Sequence, residues 1–193
     1  QFTIARGSKI AADIICVEMA ENGQIGRGEA VPYGRYGESI ETVSAAIEGL
    51  RPALENGLTR EQLAEALLPG AARCALDCAL WDLQAKLENR PVWQIAGLSA
   101  PQIAQTAYTI SLNGADKMAA QAAAARDFSL LKIKLGGADG LLADIARLHE
   151  ICQARPDAQF IVDANEGWKI QDLARYQEPL SRFGVVFFEQ PVT

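Results

Sequence analysis

The sequence is poor in the residues on which several large enzyme classes depend. It holds one histidine, His149, in 193 residues. Neither Ser111 nor Ser129 has a histidine near it, so a serine-nucleophile mechanism has little support. Zinc centres built from Cys and His would need more ligands than one histidine and the scattered Cys16, Cys74, Cys78 and Cys152 provide. These four cysteines form no disulfide framework and read as small buried apolar side chains in a reducing cytoplasm. No block of Lys or Arg offsets the net charge of −6, which argues against nonspecific nucleic-acid binding. No apolar run approaches the roughly 18 residues of a membrane span, and Gln1–Arg6 contains no signal-peptide core. Methionine is absent from position 1, so the native N-terminus is expected upstream of Gln1.

What is present is the composition of a globular chain, 49% hydrophobic and 22% charged. Residues 1–30 read as β, with a strand over Asp13–Glu18, an Asn22-Gly23 turn and a return strand over Ile25–Ala30. Residues 31–39 contain Pro32, Gly34 and Gly37 and read as a loop, unusually rich in Tyr and Arg for a connector. Ser39, or Thr42, is placed to cap the next helix. Helices are expected over 40–98. The strongest, about 70–89, carries Leu76, Leu80, Leu83 and Leu87 as an apolar stripe beside Ala79. Asp77 and Asp82 fit its polar or packing faces.

After Pro101 strand and helix alternate. Strands are expected over 103–112, 130–135, 159–162 and 185–188, and helices over 115–126, 139–154 and 171–182. Helix 139–154 shows Leu141, Ile145, Leu148 and Cys152 on one face. Val185-Val186-Phe187-Phe188 reads as a strand buried on both sides. Such alternation with short links predicts a parallel sheet with right-handed crossovers. An eight-unit barrel takes roughly 200–250 residues, so the pattern amounts to half a barrel. It is expected to stop after its fourth strand and to leave an edge open to association.

Three of these strands end in charged residues at nearly even intervals: Lys132-Ile133-Lys134, Asp163-Ala164-Asn165 and Glu189-Gln190-Pro191. Lys132 and Lys134 are two apart and point to one side of their strand. Proximity and partial burial would each lower a lysine pKa, making one a usable base. Alternatively they are solvated lysines of an edge strand. Asp163 and Glu189 each follow an apolar run and are either metal ligands or the first solvated loop residues. Carboxylate oxygens without Cys or His favour Mg²⁺ over zinc. The Gly136-Gly137 segment matches no phosphate-binding fingerprint and is expected to shape a turn.

These residues resemble the enolase superfamily. Lys132-Ile133-Lys134 is similar to the Lys-x-Lys signature of its muconate-lactonizing subgroup. Asp163 and Glu189 match metal ligands ending the third and fourth barrel strands, and Asn165 a polar neighbour of the first. Asp77–Leu83 and the segment Gly28–Ser39 are also similar, the latter to the specificity loop of dipeptide epimerases of the L-Ala-D/L-Glu type. The resemblance implies an α/β fold: an N-terminal α+β capping domain, residues 1–100, then the first half of a modified (β/α)₈ barrel, residues 101–193. It implies Mg²⁺ as cofactor, a small dipeptide as substrate and α-proton abstraction through an enediolate. Lys134 would move the proton and Lys132 would tune it. Asp163 and Glu189 would bind the metal, with Asn165 behind them. Arg35 and Tyr36 would close over the substrate, Arg35 pairing with an acidic side chain, and Thr109 would flank the mouth with Ser111. The family's third metal ligand, its second catalytic lysine and its acidic motif for the dipeptide amino group are not in these 193 residues. The chain alone is therefore expected to be inactive. A cycloisomerase or o-succinylbenzoate synthase of the same fold, and a non-catalytic binding or assembly protein, are the alternatives. A cytoplasmic location, no membrane or nucleic-acid partner, and possible homo-oligomerisation complete the expectations.

Overall fold

The structure is a computed structural model and describes residues 2–193. The chain forms two compact units. One comprises residues 12–102; the other comprises residues 103–193 together with the N-terminal segment up to Ala11.

In the first unit, β3 (Ile15–Glu21) and β4 (Gln24–Ala30) form an antiparallel hairpin with Glu21 opposite Gln24. Its two-residue turn places Asn22 at φ 49° and Gly23 at φ 78°. Both values are left-handed, which matches the strand twist and explains the Asn-Gly signal. Three helices follow: α1 (Ile40–Glu55), α2 (Arg60–Ala66) and α3 (Ala71–Glu88). A short α4 (Val92–Ile95) ends the series. Ser39 and Thr59 both start capping boxes, with Thr42 and Gln62 as their reciprocal partners. Helix α3 lies directly on β4. A Cβ added to Gly28 would sit 2.0 Å from the Ala75 carbonyl oxygen, and one on Gly26 would sit 2.3 Å from that of Ala79. Only glycine permits this approach.

That approach shifts the buried stripe of α3. Ala75, Leu76, Ala79 and Leu83 are buried, while Leu87 is 38% exposed. Ala75, Ala79 and the backbone of Leu83 face the glycines, and Leu87, one turn further on, lies outside that contact. Asp82 does serve packing: it accepts from the Arg27 N–H at 2.7 Å and from Lys86 at 2.6 Å. The cysteines depart from expectation. All four are free, Cys16, Cys74 and Cys78 are exposed, and Cys152 is half-buried. Cys16 alternates with the inward Val17, and Cys74 and Cys78 flank the buried alanine face without joining it.

In the second unit β5 (Tyr108–Ile110), β6 (Leu130–Lys134), β7 (Gln159–Asp163) and β8 (Val185–Glu189) form a parallel sheet in sequence order. Helices α5 (Ala115–Ala124), α6 (Leu141–Ala154) and α7 (Leu173–Ser181) connect the strands. One face of the sheet is apolar: Leu131, Ile133, Phe160 and Val162 share a core with Met118, Ala122, Leu148 and Ile151 of the helices. On β6 the alternate residues, Lys132 and Lys134, therefore take the opposite face.

Three details differ from expectation. The first strand is three residues long, because 103–107 pair with nothing regular. Val186 and Phe187 of β8 are 56% and 55% exposed. They are the outer strand of the sheet order, so the apolar run is not covered on both sides. The N-terminal segment adds a hairpin, β1 (Phe2–Ile4) with β2 (Gly7–Lys9). It groups with residues 103–193. The Thr3 carbonyl accepts from the Leu112 N–H at 3.0 Å, and Arg6 donates to the Asn165 carbonyl at 2.5 Å. These bonds fasten the hairpin beyond the ends of β5 and β7.

Candidate active site

Parallel register builds the site. Lys134 is the Cα partner of Asp163, and Asp163 is the partner of Glu189. Thr109 is the partner of Lys132. Strand-final residues of three neighbours therefore stand at one level.

The charged tips meet. Lys134 Nζ donates to Asp163 Oδ2 at 2.6 Å. Lys132 Nζ lies 3.1 Å from the same oxygen and 2.5 Å from Glu189 Oε2. Asp163 is fully buried and Lys134 is 7% exposed. The Lys134 ammonium also lies 5.7 Å from the centre of the Phe2 ring, a cation–π distance. Two cations and two anions thus form one compact cluster, so each charge is compensated despite its burial.

Its electrostatics differ in one respect from the sequence reading. Burial pushes the Lys132 pKa down, but the hydrogen bonds and charges of Glu189 and Asp163 outweigh it and hold the group above the ordinary lysine value. The neighbouring acids, which mutual lysine repulsion leaves out, decide the direction. Asp163 is the converse. Burial pushes it up, yet bonds from Lys134, the Asn165 N–H and Lys132 hold it below the ordinary carboxylate value.

The loops beyond the strands are tightly specified. Asn165 N–H donates to Asp163 Oδ1 at 2.9 Å, fixing the carboxylate plane. Asn165, Glu166 and Gln190 all hold positive φ, at 47°, 63° and 44°. Left-handed backbone at three non-glycine positions costs free energy and clusters where geometry serves a site. The Asn165 side-chain amide donates to Gln190 Oε1 at 3.3 Å. Its own Oδ1 is buried and has no hydrogen-bond partner among the described residues.

The donor set fits a hard cation. Two carboxylates offer oxygen ligands alone, the chemistry of Mg²⁺ rather than zinc, and the buried, unpartnered Asn165 Oδ1 is a polar atom left unsatisfied in the adjoining loop. Among the described residues no group of three or more His, Cys, Asp or Glu is placed to hold a metal. Further oxygens would have to complete the shell.

Arg35 and Tyr36 belong to the other unit. There they form a 3-10 turn, Gly34–Tyr36, closed by Gly37 at φ 75°. Tyr33 and Tyr36 rings pack 5.6 Å apart, and Glu38 ties the loop down by accepting from the Tyr33 and Ala71 N–H groups at 3.1 and 2.6 Å. Tyr36 is 72% exposed. Sequence reasoning missed Arg6, which reaches the Asn165 carbonyl and lies 3.6 Å from Glu166. An arginine in a stretch without periodicity offered no signal for it.

Known proteins share both units. Residues 1–97 match the mandelate racemase / muconate lactonizing enzyme N-terminal domain, and residues 116–193 match the enolase C-terminal domain-like family. The chain is 44% identical over 193 residues to the L-Ala-D/L-Glu epimerase of Escherichia coli K12, covering 99% of this chain and 59% of that one. It superimposes with a TM-score of 0.92 on an enolase-family protein of Agrobacterium tumefaciens with homology to dipeptide epimerases, solved with sodium and L-Ala-L-Glu. That pair is 44% identical, and the match covers 100% of this chain and 58% of the other. A dipeptide epimerase of Enterococcus faecalis V583, solved with Mg and L-Leu-L-Tyr, gives a TM-score of 0.88 at 31% identity, covering 100% and 57%. The chain thus spans a little over half the length of these relatives.

Proposed function

The chain belongs to the mandelate racemase / muconate lactonizing enzyme family of the enolase superfamily, and from that premise we propose that its protein is a Mg²⁺-dependent dipeptide epimerase of the L-Ala-D/L-Glu type. The observation that carries this reading is the meeting of Lys132, Lys134, Asp163 and Glu189 in one cluster. A centre for α-epimerisation needs a base, fixed positive charge and carboxylates to hold a metal, and this cluster supplies all three.

Each residue has a role. Asp163 and Glu189 would hold Mg²⁺, with Asn165 behind them, its N–H bonded to Asp163 Oδ1. When bound, Mg²⁺ supplies positive charge to the substrate carboxylate next to the reacting carbon. Lys134 accepts the α-proton on one face of that carbon. For this its Nζ, which donates to Asp163 Oδ2, must leave that bond and first release one proton to solvent, so that a neutral amine faces the carbon. Lys132 keeps a positive charge beside the pair, and Glu189 and Asp163 sustain that charge. Thr109, its register partner, flanks the mouth. Arg35 and Tyr36, on a loop braced by Glu38, recognise the distal side chain of the dipeptide, the guanidinium pairing with glutamate.

The reading includes a cytoplasmic location, with which four free thiols agree. Self-association is part of the same reading. The direct test is the full-length protein with L-Ala-L-Glu and Mg²⁺ in D₂O. Deuterium should enter at the glutamate Cα while the L,D isomer accumulates. Neither exchange nor isomerisation with any dipeptide would refute the assignment, and exchange without isomerisation would point to another reaction of the same fold.

A further inference from the structure

Asp144 is 1% exposed, on helix α6, and it takes no part in the cluster described above. Its Oδ2 accepts from the Gly136 N–H at 3.0 Å and from the Trp168 indole N–H at 2.9 Å. Its Oδ1 accepts from the Arg147 guanidinium at 2.9 Å. Arg147, also buried, donates from Nε to the Asn113 carbonyl at 2.8 Å and grips Asp139 with its other nitrogens at 3.0 and 2.5 Å. Asn113 lies just past β5, Gly136 just past β6 and Trp168 just past β7. One carboxylate and its arginine therefore hold three consecutive loops at the end of the sheet that carries the site.

The linkage reaches the reacting groups through backbone. Gly136 follows Lys134 by two residues and adopts φ 82°. A Cβ there would stand 2.2 Å from the Ala164 carbonyl oxygen and 3.1 Å from Gly167 Cα. The β6 and β7 loops thus touch main chain to main chain, with no side chain to absorb a displacement. Moving Gly136 moves Ala164, the residue bonded to Asp163. Burying a carboxylate and a guanidinium is costly, and an apolar pair of similar volume could fill the same space. What such a pair could not do is fix the loop backbone by directed bonds.

We propose that Asp144, with Arg147, is a positioning residue: it sets the loops that carry Lys134 and Asp163 in register and so fixes the spacing between the proton-transfer group and the metal-binding carboxylate. The proposal rests on the epimerase reading for its kinetic consequence, but its effect on metal binding does not.

The experiment uses the full-length protein and compares wild type, Asp144→Asn and Trp168→Phe. Asparagine keeps the shape but offers one acceptor oxygen to three donors and turns an N–H toward another. We expect kcat for α-proton exchange to fall on the order of 10- to 100-fold in Asp144→Asn, with KM within about 3-fold, as for a misplaced catalytic group. Mg²⁺ affinity, measured by calorimetry, should weaken in parallel, and the Trp168 indole N–H resonance should move. Trp168→Phe removes one donor and leaves the carboxylate paired, so the losses of kcat and Mg²⁺ affinity should appear at about a third of that size on a logarithmic scale. It carries the test if Asp144→Asn does not fold. A folded Asp144→Asn with a lower melting temperature but wild-type kcat and Mg²⁺ affinity would overturn the proposal, as would a Trp168→Phe protein indistinguishable from wild type. Should the wild type turn over no dipeptide, the epimerase reading fails alone, because metal affinity and the indole resonance still decide the role of Asp144.

Discussion

Residues 12–102 bury Val17, Val43, Leu63, Leu76 and Leu83 among alanines, and among the described residues they bury no polar or charged side chain. Residues 103–193 bury apolar side chains too, and with them Lys134, Asp144, Arg147, Arg155, Asp163 and Asn165. Burying charge is expensive unless every group is paired. The first unit avoids that cost and gains its solidity from close backbone packing, glycine strand against alanine helix face. The second accepts it in two places near the strand ends, the ion cluster and the Asp144 network. Arg155 is the instructive exception. It donates to the Ala122, Ala125 and Phe128 carbonyls at 3.3, 2.7 and 2.8 Å, tying down the end of α5, so a buried charge does not by itself mark a site. What marks the site is opposite charges from different strands at one register level.

If the barrel unit holds the chemistry and the other unit the frame, substitutions should divide accordingly. The largest effect is expected for Lys134→Ala in the full-length protein. Its rate of α-proton exchange should drop roughly 10³-fold or more, as for loss of a general base, and its melting temperature should fall as well, because buried Asp163 loses a partner. Deuterium incorporation by NMR checks this. In the frame, Gly28→Val forces a side chain into the Ala75 carbonyl. It should destabilise residues 12–102 by about 3 kcal/mol, read by urea denaturation, and leave any folded fraction with its chemistry intact.

Acid should separate the units more gently. The pKa of Asp163 lies below the ordinary 3.8 in the folded chain. The stability it contributes is present above that value and is lost as pH falls through the lower, folded-state pKa. Lys132, raised above 10.5, contributes stability that is lost as pH rises through its folded-state pKa. Hydrogen exchange of β6 and β7 should therefore accelerate below about pH 4, and Asp163→Asn should flatten that dependence. The smallest effect is Ser39→Ala, which removes a capping box in the frame and should cost about 1 kcal/mol without altering Mg²⁺ binding.

Much of the candidate site was legible because a charged residue closing an apolar strand is visible in one dimension, and parallel register then brings Lys134, Asp163 and Glu189 level without further information. The Asn22-Gly23 hairpin and the Ser39 cap were legible for the same reason: each is a local device. Non-local features were not. The β1–β2 hairpin has no alternation to announce it and is held by Leu112 and Asn165, more than a hundred residues away. Leu87 fits the apolar stripe by helical spacing, and that spacing alone does not reveal where along α3 the packing against β4 ends. Asp144 and Arg147, three apart on a helix, look like a surface ion pair. The overlooked signal was that Asp144 falls between Leu141 and Leu148 on the apolar face. The lysine pair was expected to depress its own pKa because its acid partners are distant in sequence.

The central assertion is that four charged tips from three strands answer to one divalent cation. Titrating Mg²⁺ into the full-length protein while following the side-chain resonances of Lys132 and Lys134 tests it most directly. The expected result is that both lysines shift together, saturate with one dissociation constant, and stop responding in Asp163→Asn. Lysines that ignore Mg²⁺, or that respond as strongly after Asp163→Asn, would contradict it.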